Sequence, residues 1–321
     1  MKNEKTKSRW TGIFFGPALT LFALSAIWKN ETRFDFYRAA AGTKEITSFH
    51  DDLTGDTISF TGPMNQRLTI VGEYVESFTG YLRIQRIAEI YAWDKDKDSD
   101  GHTTWSTRWM SHAEANSRNN HIQQKLSSRT FVPPVYHVGE LTVSVDEIEL
   151  VDGYQNISPG LLTVQRNGLV PEGNYFYLRT QSRDSVGDER ISYRGVPVPS
   201  IATYFGKLSA GRGVPDDQYR RSGIVNTLIQ DSGVLHHIAA GDRGTALESI
   251  KGYLSRIKWT VRVVASIAVV LGVLIFFSSI VGWLYHIPVI GRMAQFGTFV
   301  AALAIGLTLS SVTMITACLV A

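Results

Sequence analysis

Apolar residues crowd the two ends of this chain, and the charged and polar positions fill the space between them. The first apolar run, WTGIFFGPALTLFALSAIW from Trp10 to Trp28, contains no charged residue. Its length is close to the roughly 20 residues a helix needs to cross a bilayer core. Lys2, Lys5, Lys7 and Arg9 precede it against the single acid Glu4, and Lys29 and the polar run NETR follow it. Trp10 and Trp28 stand where interfacial aromatics belong. Pro17 does not argue against a helix here, because membrane-spanning helices tolerate proline. The rival reading is a signal peptide cut after Ser25, since Ala23 and Ser25 have cleavage-site spacing. The length of the run and its flanking tryptophans favour a retained anchor.

The second apolar run, VVASIAVVLGVLIFFSSIVGW, extends from Val263 to Trp283. YHIPVIGR follows, with Pro288 and Gly291 as turn residues. From Met293 to Ala321 Cys318 is the one ionisable side chain. The pattern predicts two further spans. On the last of them Gly297 and Ala301, then Ala302, Gly306 and Ser310, recur at the four-residue spacing that lets helix backbones approach closely. The expected partition is a basic tail over 1–9, spans over 10–28, 259–285 and 293–321, a β-rich domain over 29–258 and a cytoplasmic turn over 286–292.

The basic amino terminus predicts a cytoplasmic tail, which puts the middle domain outside the cytoplasm. Arg256, Lys258 and Arg262 crowd the outer side of the second span, against that rule, but long translocated domains escape it. Cys318 lies in a predicted span, so the middle domain has no disulfide and relies on its core.

Within the middle the dominant period is two. RLTIVGEYVE (Arg67–Glu76), Tyr81–Trp93, TTWSTRWM (Thr103–Met110) and Glu140–Val151 all read as strands, as do Tyr175–Arg179 and Glu189–Val198. Alternation places Trp105, Thr107 and Trp109 on one face. The three tryptophans Trp93, Trp105 and Trp109 are expected to serve the core, or an interface where exposed. Gly206–Asp217, GKLSAGRGVPDD, reads as a flexible loop. Leu247, Ile250, Leu254 and Ile257 have helical spacing, with Asp242 or Thr245 as the start. The predicted class is therefore a membrane protein. It has a β-rich (α+β) extracytoplasmic domain, one amino-terminal span and two carboxy-terminal spans.

The chain has 321 residues, 44% hydrophobic and 19% charged, with a net charge of +3. So balanced a charge does not suggest nucleic acid as a partner. Strong catalytic patterns are missing from the sequence. Gly206–Gly211 has phosphate-loop spacing but lacks the following Lys and Ser/Thr, and no G-x-S-x-G occurs. His236 and His237 are adjacent and diverge on either a strand or a helix, so they do not easily share a metal. One stretch invites a metal reading: Asp96, Asp98, Asp100 and Gly101 fit positions 1, 3, 5 and 6 of a calcium loop. The twelfth position, however, is Thr107 rather than a bidentate Glu, and the flanks read as strands. A charged hairpin turn is the favoured reading, calcium the minor one, and no other cofactor is expected.

Several stretches together resemble the LUMA family of transmembrane proteins (transmembrane protein 43). FFGPALTLFALSAIWKNETR resembles its first span and the N-E-x-R that follows. Tyr91-Ala92-Trp93, Trp105 and Trp109 resemble its aromatic hairpin. Asn120 and the run to VYHVGELTVS are similar to its next segment. GNYFY (Gly173–Tyr177) and VGDERISY (Val186–Tyr193) resemble its most distinctive motif, which makes Gly187 and Asp188 structural or interface candidates. LHH, KWTVR and IPVIGR resemble the approach to its membrane cluster. The resemblance implies an intrinsic membrane protein that organises protein complexes. In animals it implies the endoplasmic reticulum and inner nuclear membrane, with emerin and lamins as partners. The family usually has three carboxy-terminal spans and two are counted here, so either the last span is missing or the chain is a short variant; a bacterial-type homologue with a shortened membrane region is expected.

The expected function is a non-enzymatic membrane scaffold that contacts the bilayer, other membrane or envelope proteins, or a second copy of itself. An enzyme acting on lipid or envelope polymer, and a calcium-dependent binding module, are the alternatives. The expected location is the bacterial inner membrane with a periplasmic domain, or a luminal domain in a eukaryote.

Overall fold

The computed structural model describes residues 2–48, 54–97, 102–178, 184–281 and 288–320. Two compact units are formed, one from Met1–Gly42, Asp216–Leu235 and Ile250–Ala321, the other from Thr43–Pro215 and His236–Ser249.

The helices are α1 (Lys2–Glu31), α2 (Phe36–Ala41), α3 (Ile224–Leu228), α4 (Arg243–Val281) and α5 (Pro288–Val320). α1, α4 and α5 are each long and apolar enough to cross a membrane. At 39 residues α4 is about 58 Å long, nearly twice a bilayer core. Its first turns are therefore the predicted amphipathic segment, and no break separates them from the apolar run. Asp242 starts it, accepting a hydrogen bond from Thr245 N at 2.9 Å.

Within the membrane unit, small residues set the helix spacing. A side chain on Gly16 would stand 2.6 Å from Gly272 O, and one on Gly272 would stand 2.8 Å from Gly16 O, so α1 and α4 touch through glycine. Gly306 of α5 meets Val270 of α4 in the same way. Ala302, Gly306 and Ser310 form the buried stripe of α5, whereas Gly297 and Ala301 are exposed. Of the two predicted sets of small residues, only the second faces a neighbour.

Among the described residues the strands begin with β1 (Lys44–Ile46), β2 (Thr57–Pro63), β3 (Thr69–Val71), β4 (Ser77–Thr79), β5 (Tyr81–Lys97) and β6 (Thr103–Met110). β7 (Arg129–Phe131), β8 (Tyr136–Val138), β9 (Leu141–Val143), β10 (Glu149–Leu150), β11 (Gln155–Ile157) and β12 (Val170–Glu172) are short. β13 (Tyr175–Leu178), β14 (Glu189–Pro197), β15 (Ile201–Ser209), β16 (Arg212–Val214) and β17 (His237–Ala240) complete the series. One sheet runs β1-β2-β15-β16-β9-β8, with β17 against β15 and β10. The other runs β12-β13-β14-β5-β6, with β11 on β14 and β7 on β5.

Each sheet has its own core. Ile58, Phe60, Tyr136, Tyr204 and Ile238 fill the first; Phe78, Ile84, Phe131, Phe176 and Ile191 fill the second. Strict alternation along β5 buries Leu82, Ile84, Arg86, Ala88, Ile90 and Ala92 on one face. Arg86 is fully buried there. It donates to Ser127 O at 2.6 Å and to Glu73 Oε2 at 3.0 Å, and its guanidinium lies 3.8 Å from the Tyr74 ring centre. Those partners are what allow a cation inside a core.

Three readings change, one of a loop and two of strands. Gly206–Asp217 is no loop: β15 and β16 form a hairpin through it, with Ser209 opposite Arg212. Ala210 and Gly211 both have positive φ, 47° and 72°, the two-residue turn that matches strand twist. Glu140–Val151 is not one strand but β9 and β10, separated by a turn in which Glu147 has φ 58°. Arg67–Glu76 keeps only β3 as strand, because Gly72 N turns back to bond Glu76 O at 3.0 Å. Arg179, Asp98, Asp100, Gly101, the first two residues of the 286–292 turn and part of the second run's end lie outside the described residues.

Candidate functional site

The outward face of β5 and β6 carries the sequence candidates. Tyr91 pairs with Trp109, Trp93 with Thr107 and Lys95 with Trp105, so all six side chains share one face. Trp93 and Trp105 are diagonal neighbours, their rings edge to face at 6.5 Å. Trp109 packs on Tyr91 at 5.3 Å and on Tyr177 at 5.8 Å. The three tryptophans are half-buried and belong to neither core cluster. A core role was expected of them; the pleat turns them outward instead, because the inward positions are taken by Ile90 and Ala92.

Two arginines lie against these rings. The Arg118 guanidinium is 4.4 Å from the Trp93 centre and 4.5 Å from that of Trp105. Arg190 lies 4.3 Å from Trp109 and 4.0 Å from Tyr175. Each such contact contributes about 0.5–1 kcal/mol at an exposed site. Arg190 also donates to Glu89 Oε2 at 2.7 Å. Burial works against its charge, but the hydrogen bonds to Glu89 and Tyr177 prevail and raise its pKa.

The segment that delivers Arg118 is knotted to the strand edge by amides. Asn119 accepts from Trp93 N at 3.0 Å and donates to Trp93 O at 2.8 Å and Glu114 O at 3.0 Å. Asn116 donates to Trp93 O at 3.1 Å. The sequence offered no periodic signal for this segment; the run SRNN, polar and asparagine-rich beside a strand pair, was its one trace. Arg118, Asn119 and Arg190 are thus the site residues that sequence reasoning missed.

Gly187 and Asp188 prove to be turn-makers. Gly187 has φ 98°, and its N–H reaches Tyr91 O at 2.9 Å. Asp188 is buried and accepts from Ser185 N at 2.7 Å. Glu189 next to it is also buried and accepts from Lys125 N and Leu126 N at 2.6–2.9 Å. Both carboxylates are occupied by backbone donors and hold the turn and the 125–126 segment in place. Asp96 lies at the exposed end of β5, opposite Thr104, while Asp98 and Asp100 lie outside the described residues. Among the described residues no three His, Cys, Asp or Glu side chains are placed to hold a metal ion.

His236 and His237 are both buried in the first sheet. The His236 ring sits between Ser144 O, 3.0 Å from Nε2, and the Tyr204 hydroxyl, 2.9 Å from Nδ1. His237 Nδ1 accepts from His236 N at 3.2 Å. Burial holds His236 at about 4 and, with its neighbour's charge, His237 at about 3. These are neutral core histidines.

Three membrane-crossing helices with a β-rich domain between them in the chain define an integral membrane protein. A family model, Transmembrane protein 43, matches residues 90–320, and the chain belongs to that family. The match takes in the aromatic hairpin, the Gly187–Asp188 turn and the last two spans. No curated protein and no solved structure matches the chain.

Proposed function

We propose that this membrane protein is a non-enzymatic scaffold that gathers other membrane or envelope proteins through the tryptophan face of β5 and β6. The supporting observation is the state of Trp93, Trp105 and Trp109. They are half-exposed, lie outside both cores and are held rigid by Arg118 and Arg190. Tryptophan, tyrosine and arginine are the residues that dominate binding hot spots, and a rigid aromatic surface loses little entropy on contact. On this reading the domain is extracytoplasmic, periplasmic in a bacterial inner membrane or luminal in a eukaryote, and a second copy of the chain is one admissible partner.

Affinity purification from mild detergent after brief cross-linking tests it. The wild-type chain is expected to recover a reproducible set of membrane proteins. Trp105→Ala with Arg118→Ala is expected to lower their recovery about thirtyfold, the effect of removing a hot spot worth about 2 kcal/mol. Equal recovery by the double variant would overturn the assignment of this face.

A further inference from the structure

Two neighbouring hollows in the membrane unit share a wall. The first, about 240 Å³, lies between the Phe34–Asp35 segment and α4, and receives Lys251, Ser255, Lys258 and Arg262. Those four residues are spaced by four, three and four, which sets them in one stripe along the helix. The second, about 430 Å³, is a groove between α4 and α5, walled by Val263, Ile267, Leu271, Leu303, Leu307 and Met314. Trp259 and Arg262 line both. One continuous surface thus passes from ammonium and hydroxyl groups to aliphatic side chains where the apolar run of α4 begins.

We propose that this surface is a binding site for one anionic glycerophospholipid, with its phosphate at Lys251, Ser255 and Lys258 and an acyl chain in the α4–α5 groove. The charges select the headgroup. Glu31 neutralises Arg262 through two hydrogen bonds of 2.7 Å. Asp35 is engaged at the start of α2, accepting from Arg38 N at 2.9 Å. Lys251, Lys258 and Arg262 stand against Asp35 and Glu31, which leaves the hollow with a net positive charge. Beyond the Phe34–Asp35 segment, Arg33 and Arg38 line a further hollow and add to it, whereas Arg221 there is paired with Asp231 at 3.0 Å. Arg33 Nε and Nη1 are buried there without a hydrogen-bond partner. A zwitterionic headgroup brings an ammonium of its own into this field and is disfavoured. The groove selects the rest of the ligand. It lies along the apolar run, and an acyl chain fills it without presenting a polar group to hydrocarbon. Basic pockets between membrane helices are a recurrent form of lipid recognition.

Native mass spectrometry of the full chain tests this. The protein is released from nanodiscs containing equal phosphatidylglycerol and phosphatidylcholine, and the lipid retained through a detergent wash is counted. One phosphatidylglycerol per chain is expected, about tenfold enriched over phosphatidylcholine. Lys251→Gln with Lys258→Gln is expected to abolish the enrichment, and Lys251→Arg with Lys258→Arg to keep it. Leu307→Trp, which fills the groove, is expected to lower retention of both lipids. Circular dichroism and the melting temperature of each variant establish that it is folded. Equal retention of the two lipids by the wild type overturns the proposal, as does undiminished enrichment in the folded glutamine variant. Displacement of the bound lipid by millimolar inorganic phosphate also overturns it, because it would mark a site for a free anion.

Discussion

His236 immediately precedes β17 and His237 opens it, and both are buried, an unusual place for two titratable rings. Asp146 and Glu147 act on His236 through their field and favour its charged form. Protonation would let His236 donate at both nitrogens, but the cost of burying a charge outweighs that gain. Their folded pKa values, about 4 and about 3, therefore lie below the ordinary 6.5. An unfolded chain takes up protons at these rings below about pH 6.5, while the folded chain does not. Stability must therefore fall as pH falls from 6.5 toward 4, by about 2 kcal/mol per histidine at pH 5. Asp152, whose carboxyl burial raises, works in the opposite direction and is common to every variant. Tryptophan-detected melts in mild detergent at pH 7 and pH 5 measure the difference. The drop is expected to shrink by about half in His237→Leu, and an unchanged drop would remove these rings as its source.

At the level of elements, the long helices cross one another where glycine permits. Gly16 and Gly272 bring α1 and α4 into backbone contact, and a side chain at either meets backbone atoms of the facing helix, one at Gly272 meeting the Thr20 hydroxyl as well. Gly272→Leu is expected to cost about 1–3 kcal/mol by overpacking and to lower the melting temperature in detergent. Gly252→Leu, where no atom lies within 4 Å of the added carbon, is the control and is expected to leave it unchanged apart from helix propensity. Patterns of period two and 3.6 made the elements legible where one face alone is buried: β5, β6, β14, the amphipathic start of α4 and the three apolar spans. They failed where the decisive information is a backbone angle. The turn at Ala210 and Gly211 sits in a glycine-rich run that reads as a loop, and the bend at Glu147 interrupts an otherwise unbroken alternation. The candidate face was half legible. Trp93, Trp105 and Trp109 were visible by alternation, but which face the core takes is decided by the whole sheet. Arg118 and Asn119 reach the tryptophans from a segment without periodicity, whose one local trace is the run SRNN.

For the molecule as a whole, the open consequence of three spans is sidedness. Four basic residues before the first apolar run predict a cytoplasmic amino terminus, and a single crossing then puts the β-rich domain on the other side. The cluster Arg256, Lys258 and Arg262 at the start of the second apolar run opposes that orientation if loop charge alone decides. Two considerations weigh against it. Charge bias acts through short loops, whereas some 200 residues precede this cluster, and long domains translocate largely regardless of charge. Arg262 is moreover neutralised by Glu31. Single cysteines placed in a Cys318→Ser background decide between the two. Gly153→Cys has open space around the added carbon, so it serves as the reporter of the β-rich domain. A membrane-impermeant maleimide applied to intact cells of a bacterial host is expected to label Gly153→Cys in full and to leave Lys5→Cys unlabelled until the membrane is opened. The reverse pattern would place the domain in the cytoplasm, and with it any protein that docks on the tryptophan face.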